Sequence, residues 1–371
     1  MNTHFTFENL HQAYLDCRKR KSRSFYCMKF TENLEKNLLD LEKQLQERTY
    51  RPGQSIAFIV QKPKIREIFA ADFRDRVVHH LIFNYLSPIY EKVFIHDSWA
   101  CRKDKGTHRA MLRLQEFACK LDQNSVAHAL ACRRERERER ERDGALHQPF
   151  YLKMDIKSFF TSIDQQILYN LIVKRVKNEE ILWLAHTIIS HDCARDVPPK
   201  IQSCPSLFDK LPVDKSLFTA PKGKGLPIGN LTSQFFANVY LNELDQFVKH
   251  HLKAKYYLRY VDDFLMLDDS EQKLAEWQGK ITQFAQEKLG LAVHPLKCFI
   301  RPVASGIDFV GYVVRPEYVL IRNRVAGDWR RKMDRTKGDE RRQTYNSYQA
   351  HAIWANAFWF SRKMAGKIAT I

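Results

Sequence analysis

The chain has 371 residues, 44% of them apolar, enough for more than one hydrophobic core. Its 61 Lys and Arg against 43 Asp and Glu leave a formal charge of +18, spread along the chain, which reads as an electrostatic footprint for a polyanion. No long apolar run supports membrane insertion, the N-terminal stretch MNTHFTFENLHQAYLDCRKRK has no apolar signal core, and the eight cysteines include no C-x-x-C pair. A membrane protein and a disulfide or zinc scaffold are thereby set aside, and the expectation is a cytoplasmic protein with reduced, mostly buried thiols.

Residues 6–50 carry Leu34, Leu38, Leu41 and Leu45 at three- and four-residue steps and are predicted helical, ending at Pro52-Gly53. A strand over 56–60, a QKPK turn and a returning strand over 65–70 follow, so that Lys62, Lys64 and Arg66 cluster on one hairpin. That cluster is either a solvated basic surface or a clamp for a triphosphate, with Arg giving forked hydrogen bonds and Lys a point charge. From Asp72 a helix is predicted through Val77, Val78, Leu81, Ile82 and Tyr85 to near Ser87-Pro88. A basic turn with Arg102, Lys103 and Lys105, candidates for template phosphates, leads into a helix after Gly106-Thr107. Residues 120–148 break the pattern. Their run RRERERERER, at 133–142, alternates in a way that suits neither an amphipathic helix nor a buried strand. It is predicted to be a solvated insertion or mobile arm, whose six arginines are candidates for RNA contact.

The stretch FYLKMDIKSFFTSI, 150–163, reads as a buried strand through Tyr151, Leu152 and Met154 that delivers Asp155 at its end, with a helix starting near Ser162 or Asp164. Helical segments are expected to about Ser190, then a partly irregular connector over about 191–224. In GLPIGNLTSQFFANVYLNELDQFVKHHL, residues 225–229 form a flexible loop and Asn230 or Thr232 caps a helix with a buried stripe of Phe236, Val239, Tyr240, Leu244 and Phe247. Backbone groups at such a loop can approach a nucleotide closely. YYLRYVDDFLML, 256–267, reads as two short strands joined by a tight turn holding Asp262 and Asp263. A helix over 271–289, a returning strand in LGLAVHPLKCFI, a hairpin near 306–314 and a basic, helical remainder complete the chain.

Two adjacent carboxylates repel unless a cation sits on them, and hard oxygen ligands suit Mg²⁺, with Mn²⁺ as the alternative ion. Asp155 lies more than a hundred residues from Asp262, also at a strand end. If the strands are adjacent, the three carboxylates can gather two divalent ions, a geometry suited to nucleotidyl transfer.

The ordered set KPKIRE, MDIKSFF, GLPIGNLTSQ, YVDDF, LKC and DFVGY resembles the successive motifs of reverse transcriptases, from about residue 50 to the end of the chain. The resemblance implies an α+β right-hand polymerase: fingers and palm over 1–315, with an antiparallel palm sheet, and a small helical thumb over 316–371. It implies that Asp155 and Asp262 bind both metals, with Asp263 beside them and the Ile156 carbonyl as a backbone ligand. Lys64 and Arg66 match finger residues that contact the incoming triphosphate, and Lys62 is the alternative for the Lys64 role. Ser158, Phe159 and Phe160 lie in the nucleotide-binding stretch. Phe160 matches a steric gate that excludes a ribose 2′-hydroxyl, with Phe159 as the neighbour that competes for the assignment. Lys297 matches the proposed general acid for pyrophosphate, and Gly311 and Tyr312 match the primer grip. The expected ligands are a template RNA, a primer, the growing cDNA and dNTPs.

One departure narrows the resemblance. Reverse transcriptases usually carry Pro-Gln-Gly followed by Ser-Pro, whereas this chain has Pro227-Ile228-Gly229 and Ser233-Gln234. Ile228 cannot make the hydrogen bond that a glutamine would make near the nucleotide, and losing a polar contact weakens discrimination. Ile228 can equally serve as packing beneath the loop. IGNLTSQ resembles the enzymes of diversity-generating retroelements, which make adenine-directed errors in cDNA copied from a template-repeat RNA. That resemblance implies a bacterial or phage setting and a basic accessory variability protein built as a helical-bundle pentamer. The alternatives are a retron-type or group II intron-type reverse transcriptase, and an RNA-binding relative without catalysis.

Overall fold

The computed structural model describes residues 3–62, 64–136, 148–203 and 205–369. The N-terminal half runs α1 (Phe7–Arg18), α2 (Phe25–Glu32), α3 (Leu34–Gln46), β1 (Ile56–Val60), β2 (Arg66–Ala70), α4 (Phe73–Glu91), α5 (Thr107–Arg136), β3 (Phe150–Asp155), α6 (Phe159–Ser162), α7 (Gln165–Val173) and α8 (Glu179–Ser190). It continues with β4 (Lys200–Ile201), α9 (Pro205–Phe208), α10 (Leu231–Gln246), β5 (Tyr256–Tyr260), β6 (Asp263–Asp268) and α11 (Glu271–Leu289). Last come β7 (Phe299–Pro302), β8 (Ile307–Phe309), β9 (Tyr312–Val314), β10 (Val319–Ile321), α12 (Asn323–Arg335), α13 (Gly338–Ala352) and α14 (Phe358–Ala369). Among the described residues the fold is mixed α+β, mostly helical with three small sheets.

The chain forms two compact units, the first made of 1–95, 156–247 and 282–293, the second of 96–155, 248–281 and 294–371. In the first, α4 packs against α1 and α10. The Asp72 carboxylate caps α4 by accepting from Arg74 N–H. That helix passes through Pro88 to Glu91, beyond the stop expected at Ser87-Pro88. Proline removes one donor and one helical bond, and burial of Leu86 and Tyr90 on either side offsets that loss. A three-stranded sheet has the order β2-β1-β4, with β2 on its edge. The period-2 alternation of β2 turns Glu67 and Phe69 inward and leaves Arg66 and Ile68 on the other face. The expected connector is partly regular: β4 pairs parallel with β1 through Ile56–Lys200 and Ala57–Ile201. Cys193, Ala194, Leu217 and Ala220 from the same stretch close a small core over Ala57 and Phe69.

The second unit is built on a four-stranded sheet of order β5-β6-β3-β7, antiparallel throughout. α5 buries Met111, Leu114 and Phe117 against Tyr151, Tyr256, Leu258 and Leu265. Because α5 runs to Arg136, the first part of the expected insertion continues a helix instead of breaking one; residues 137–147, with the rest of the Arg-Glu run, lie outside the described residues. β8, β9 and β10 form a further sheet, and β10 falls in a stretch expected to be helical. Trp329, Met333, Ala352 and Met364 form the core of the last three helices. The thiols are less uniformly buried than expected: Cys17, Cys27 and Cys193 are buried, Cys119 and Cys298 half-buried, and Cys101 exposed. Among the described residues, no helix is long and apolar enough to cross a membrane.

Candidate active site

In the second unit, β3 and β6 pair in a register that sets Phe150 opposite Asp268 and Asp155 opposite Asp263. β5 and β6 pair from Tyr256–Leu267 to Tyr260–Asp263, which leaves Val261 and Asp262 as the two-residue turn. Val261 takes a φ of 56°, a conformation that a β-branched residue adopts only when its surroundings hold it there. They do so through Arg259, whose side chain is fully buried. Its guanidinium donates to the Val261 carbonyl at 2.9 Å and to Ser98 Oγ at 3.1 Å. The three carboxylates are thus presented at one end of the sheet.

Two ammonium groups serve the acidic group. Lys297 Nζ lies 3.0 Å from Asp155 Oδ2, and Lys153 Nζ lies 3.1 Å from Asp263 Oδ2 while donating to the Asp308 carbonyl at 2.7 Å. Burial, then the neighbouring Asp155 carboxylate, pushes the Asp262 carboxyl up to about 6, with Asp263 adding to the rise and Lys297 opposing it. Burial also raises Asp263, against the pull of Lys153. Asp263 Oδ1 is buried and has no hydrogen-bond partner. Anionic oxygens crowded in this way fit a hard divalent cation. Among the described residues, no group of three or more His, Cys, Asp or Glu forms a metal cage. Mg²⁺ does not require one, since it is held by one or two carboxylates with water and substrate phosphates.

Near the same acidic group, Lys297 and Arg259 keep different company. Lys297 ends a short 3-10 turn, Pro295–Lys297, before β7, and its side chain is 42% exposed, leaving the amine access to solvent. Sequence reading missed Arg259 and Lys153. The signal was a cation in the middle of an apolar strand, which cannot be buried without acceptors. Val310 and Gly311 form the β8–β9 turn with φ of 43° and 94°. Tyr312 is fully buried and donates to the His351 carbonyl at 2.9 Å, with His108 Nδ1 2.8 Å away and the His351 ring stacked on it at 4.1 Å. Of the three template candidates, Lys103 is exposed, Arg102 donates to the Ser98 carbonyl at 3.0 Å, and Lys105 donates to the His96 carbonyl at 2.7 Å and lies over the Trp99 ring.

The first unit holds the nucleotide-site candidates. Lys62, Lys64 and Arg66 are exposed on the β1–β2 hairpin. Ile156 is buried and bridges Val293, flanked by a bond from Lys157 N–H to the Ala292 carbonyl that does not use the Ile156 carbonyl. Ser158 turns the chain with a φ of 47°, and α6 follows. Phe159 is buried and Phe160 half-buried, their rings edge to face at 5.4 Å. Ile228 is half-buried and its carbonyl accepts from Phe69 N–H at 2.8 Å. Gly229 has a φ of 128°, and a Cβ there would lie 2.8 Å from the Phe69 carbonyl oxygen. Asn230 precedes α10 without capping it; its Oδ1 accepts instead from Ala71 N–H at 3.2 Å. The Ile228 loop thereby lies along the edge of β2, replacing a neighbouring strand.

The chain is similar to several known proteins. YkfC of Escherichia coli K12 is 21% identical over 207 residues, which is 55% of this chain and 43% of that protein. The chain therefore spans less than half the length of that relative. Two structures of apo telomerase from Candida tropicalis are 13% identical to it. One, truncated from its C-terminal domain, has a TM-score of 0.46 with 72% of this chain and 55% of the other covered; the second has a TM-score of 0.48 with 86% and 57% covered. Residues 60–314, which include the acidic strands, the hairpin and the Ile228 loop, match the family described as reverse transcriptase (RNA-dependent DNA polymerase), and the chain belongs to that family.

Proposed function

We propose that the protein is an RNA-directed DNA polymerase that makes error-prone, adenine-directed cDNA from a template-repeat RNA in a diversity-generating retroelement. The observation that carries the polymerase reading is the register of Asp155 opposite Asp263, with Asp262 at the adjoining turn. Asp155 and Asp262, with the Ile156 carbonyl and Asp263 beside them, are the residues that would hold Mg²⁺. The ions would lower the pKa of a primer 3′-hydroxyl and steady the leaving pyrophosphate.

The chain's own residues supply the rest. Lys297 carries a proton on an amine next to Asp155 and gives it to the departing pyrophosphate. Lys153 fixes the rotamer of Asp263. Arg66 and Lys64, with Lys62 as the alternative, hold the triphosphate tail, and the half-buried Phe160 excludes a ribose hydroxyl. Gly311 and Tyr312 steady the primer end. In this reading the β1–β2 hairpin belongs to the fingers, the four-stranded sheet to the palm and the last three helices to the thumb. Lys103 is the template contact the geometry favours, since Arg102 and Lys105 already hold local carbonyls.

The subclass rests on Ile228. The residue is anchored to β2 through its backbone and presents an apolar side chain where a glutamine would donate and accept. The accessory variability protein and a bacterial or phage setting belong to the same reading. Primer extension on an RNA template with Mg²⁺ tests the activity: synthesis by the wild type no greater than by Asp262→Ala would reject it. Sequencing the products tests the subclass, which requires errors concentrated at template adenines and fewer errors in Ile228→Gln. Errors spread evenly over the four template bases would reject the subclass and leave the polymerase standing.

A further inference from the structure

The connector between α8 and α10 carries none of the family motifs, yet one turn of it touches the nucleotide stretch directly. Asp214 sits in a 3-10 turn, Val213–Lys215. Its Oδ2 accepts from Ser158 Oγ at 2.7 Å, and its backbone carbonyl accepts from Thr161 Oγ1 at 2.8 Å. The Lys157 ammonium lies 4.0 Å from the same carboxylate oxygen. Ser158 is the left-handed residue that starts the turn into Phe159 and Phe160. A serine holds that conformation only when neighbours fix it, and Asp214 grips the residue on one side and the end of the same turn on the other.

The turn is also held from behind. Leu226 N–H donates to the Phe160 carbonyl and Gly225 N–H to the Ile163 carbonyl, both at 2.8 Å. The connector in turn is fastened to β2. The buried Glu67 carboxylate accepts from Leu217 N–H at 2.7 Å and from Ser216 Oγ at 2.9 Å. With the Ile228 carbonyl bonded to Phe69 N–H, the hydrogen bonds close a ring: β2, the 214–217 turn, the 158–163 turn, the 225–228 loop and β2 again. Within this ring Phe160 is flanked by bonds on both sides, and Asp214 is the member that a single substitution can release without unmaking a strand or a core.

We propose that Asp214 is a positioning residue for sugar discrimination: by holding Ser158 in its left-handed turn it fixes the Phe160 ring where a ribose 2′-hydroxyl would collide with it. This rests on the reading of Phe160 as the steric gate. Asp214 acts through Ser158 and Thr161, which it holds directly. Its release lets the gate turn relax, and a looser gate admits a ribonucleotide more than it harms a deoxynucleotide.

The test is single-nucleotide primer extension, giving kcat/KM for a dNTP and for the matching rNTP in the full chain. Asp214→Ala is expected to raise the rNTP to dNTP ratio about tenfold, the scale of one hydrogen bond to a charged group. Ser158→Ala, which removes the donor from the other side and leaves the connector untouched, is expected to do the same. The double variant should exceed neither single one, and Asp214→Asn, which keeps an acceptor but loses the charge, should lie between Asp214→Ala and the wild type. Equal losses for both nucleotides in Asp214→Ala and Ser158→Ala would mean a merely structural contact and overturn the proposal. Phe160→Ala separates the two levels. If it raises rNTP use and the Asp214 and Ser158 variants do not, the gate stands and the positioning role falls. If Phe160→Ala leaves the ratio unchanged, the gate reading itself falls and takes the proposal with it.

Discussion

Asp155 stands opposite Asp263 across the β3–β6 ladder, and Asp262 occupies the turn beside them. An arrangement that buries anionic oxygens and crowds them together costs stability when no cation is present, and the upward shift of Asp262 to about 6, caused first by burial and then by the Asp155 carboxylate, is the signature of that cost. Asp262→Asn is therefore expected to melt at or above the wild-type temperature in EDTA while primer extension falls by roughly 10²–10³-fold or more, the scale of losing one preorganised electrostatic contact. Mg²⁺ should stabilise the wild type, by about 2.7 kcal/mol at 100 times its dissociation constant, and should not stabilise Asp155→Asn/Asp262→Asn. Thermal melts with and without the ion check both statements. A lower melting temperature for Asp262→Asn in EDTA would show that the carboxylate is structural.

Arg259 supports the acidic turn from inside the protein. Its guanidinium satisfies the Val261 carbonyl and the Ser98 hydroxyl with no exposure of its own. Arg259→Met keeps most of the volume and removes the guanidinium donors, those to Val261 and Ser98 among them, so it should cost about 2–3 kcal/mol in a urea melt. The turn that carries Asp262 would lose its clamp, and kcat should drop with little change in the KM for dNTP. A variant of wild-type stability and wild-type kcat would remove Arg259 from the supporting structure.

Much of this site could be read before any coordinates. The strand ending in Asp155, the hairpin around Asp262 and Asp263 and the helix over 271–289 follow from local pattern: period-2 apolar runs, a turn and an amphipathic stretch. What escaped depends on pairing between distant segments. Nothing local marks Lys200–Ile201 as a strand, since two residues gain β structure only by lying against Ile56 and Ala57. β10, with three residues, is nearly as short and owes its form to β9. Asn230 reads as a helix cap because Asn has that propensity, but the Ala71 N–H on an open strand edge is the donor it satisfies. α5 continues to Arg136, so the first four residues of the Arg-Glu run extend a helix begun far upstream, where elongation costs less than nucleation.

His79 provides a test through pH. The ring is buried on α4 and its Nδ1 has no partner; burial, then the nearby His80, Arg76 and His191, push its pKa down to about 3. The folded pKa lies below the unfolded value of about 6.5, so the unfolded chain binds the proton first as pH falls. The stability that depends on a neutral ring is complete above about pH 6.5 and is lost as pH drops towards 3. Between pH 7 and pH 5 this one group should remove about 2 kcal/mol. His79→Phe should flatten that part of the profile in urea melts at the two pH values. An unchanged slope would place the acid sensitivity elsewhere.

The strap between the Ile228 loop and β2 can be loosened at two neighbouring points with different force. Gly229→Ala demands a left-handed alanine and sets its Cβ 2.8 Å from the Phe69 carbonyl oxygen, closer than such contacts occur, so either the loop or the strand must move. The expected cost is about 1–3 kcal/mol. Asn230→Ala removes only the acceptor for Ala71 N–H, about 1 kcal/mol, and leaves the Ile228 carbonyl on Phe69 N–H. Amide hydrogen exchange distinguishes them. In Asn230→Ala the Ala71 amide should exchange faster while Phe69 stays protected; in Gly229→Ala both should exchange faster. Because β2 carries Arg66 on the face opposite Glu67, freeing its edge lets the hairpin fray, and the KM for dNTP should rise in the order wild type, Asn230→Ala, Gly229→Ala. Wild-type protection of Phe69 in Gly229→Ala would mean that the loop and the strand are not held together by this contact, and the ordering of KM values would lose its cause.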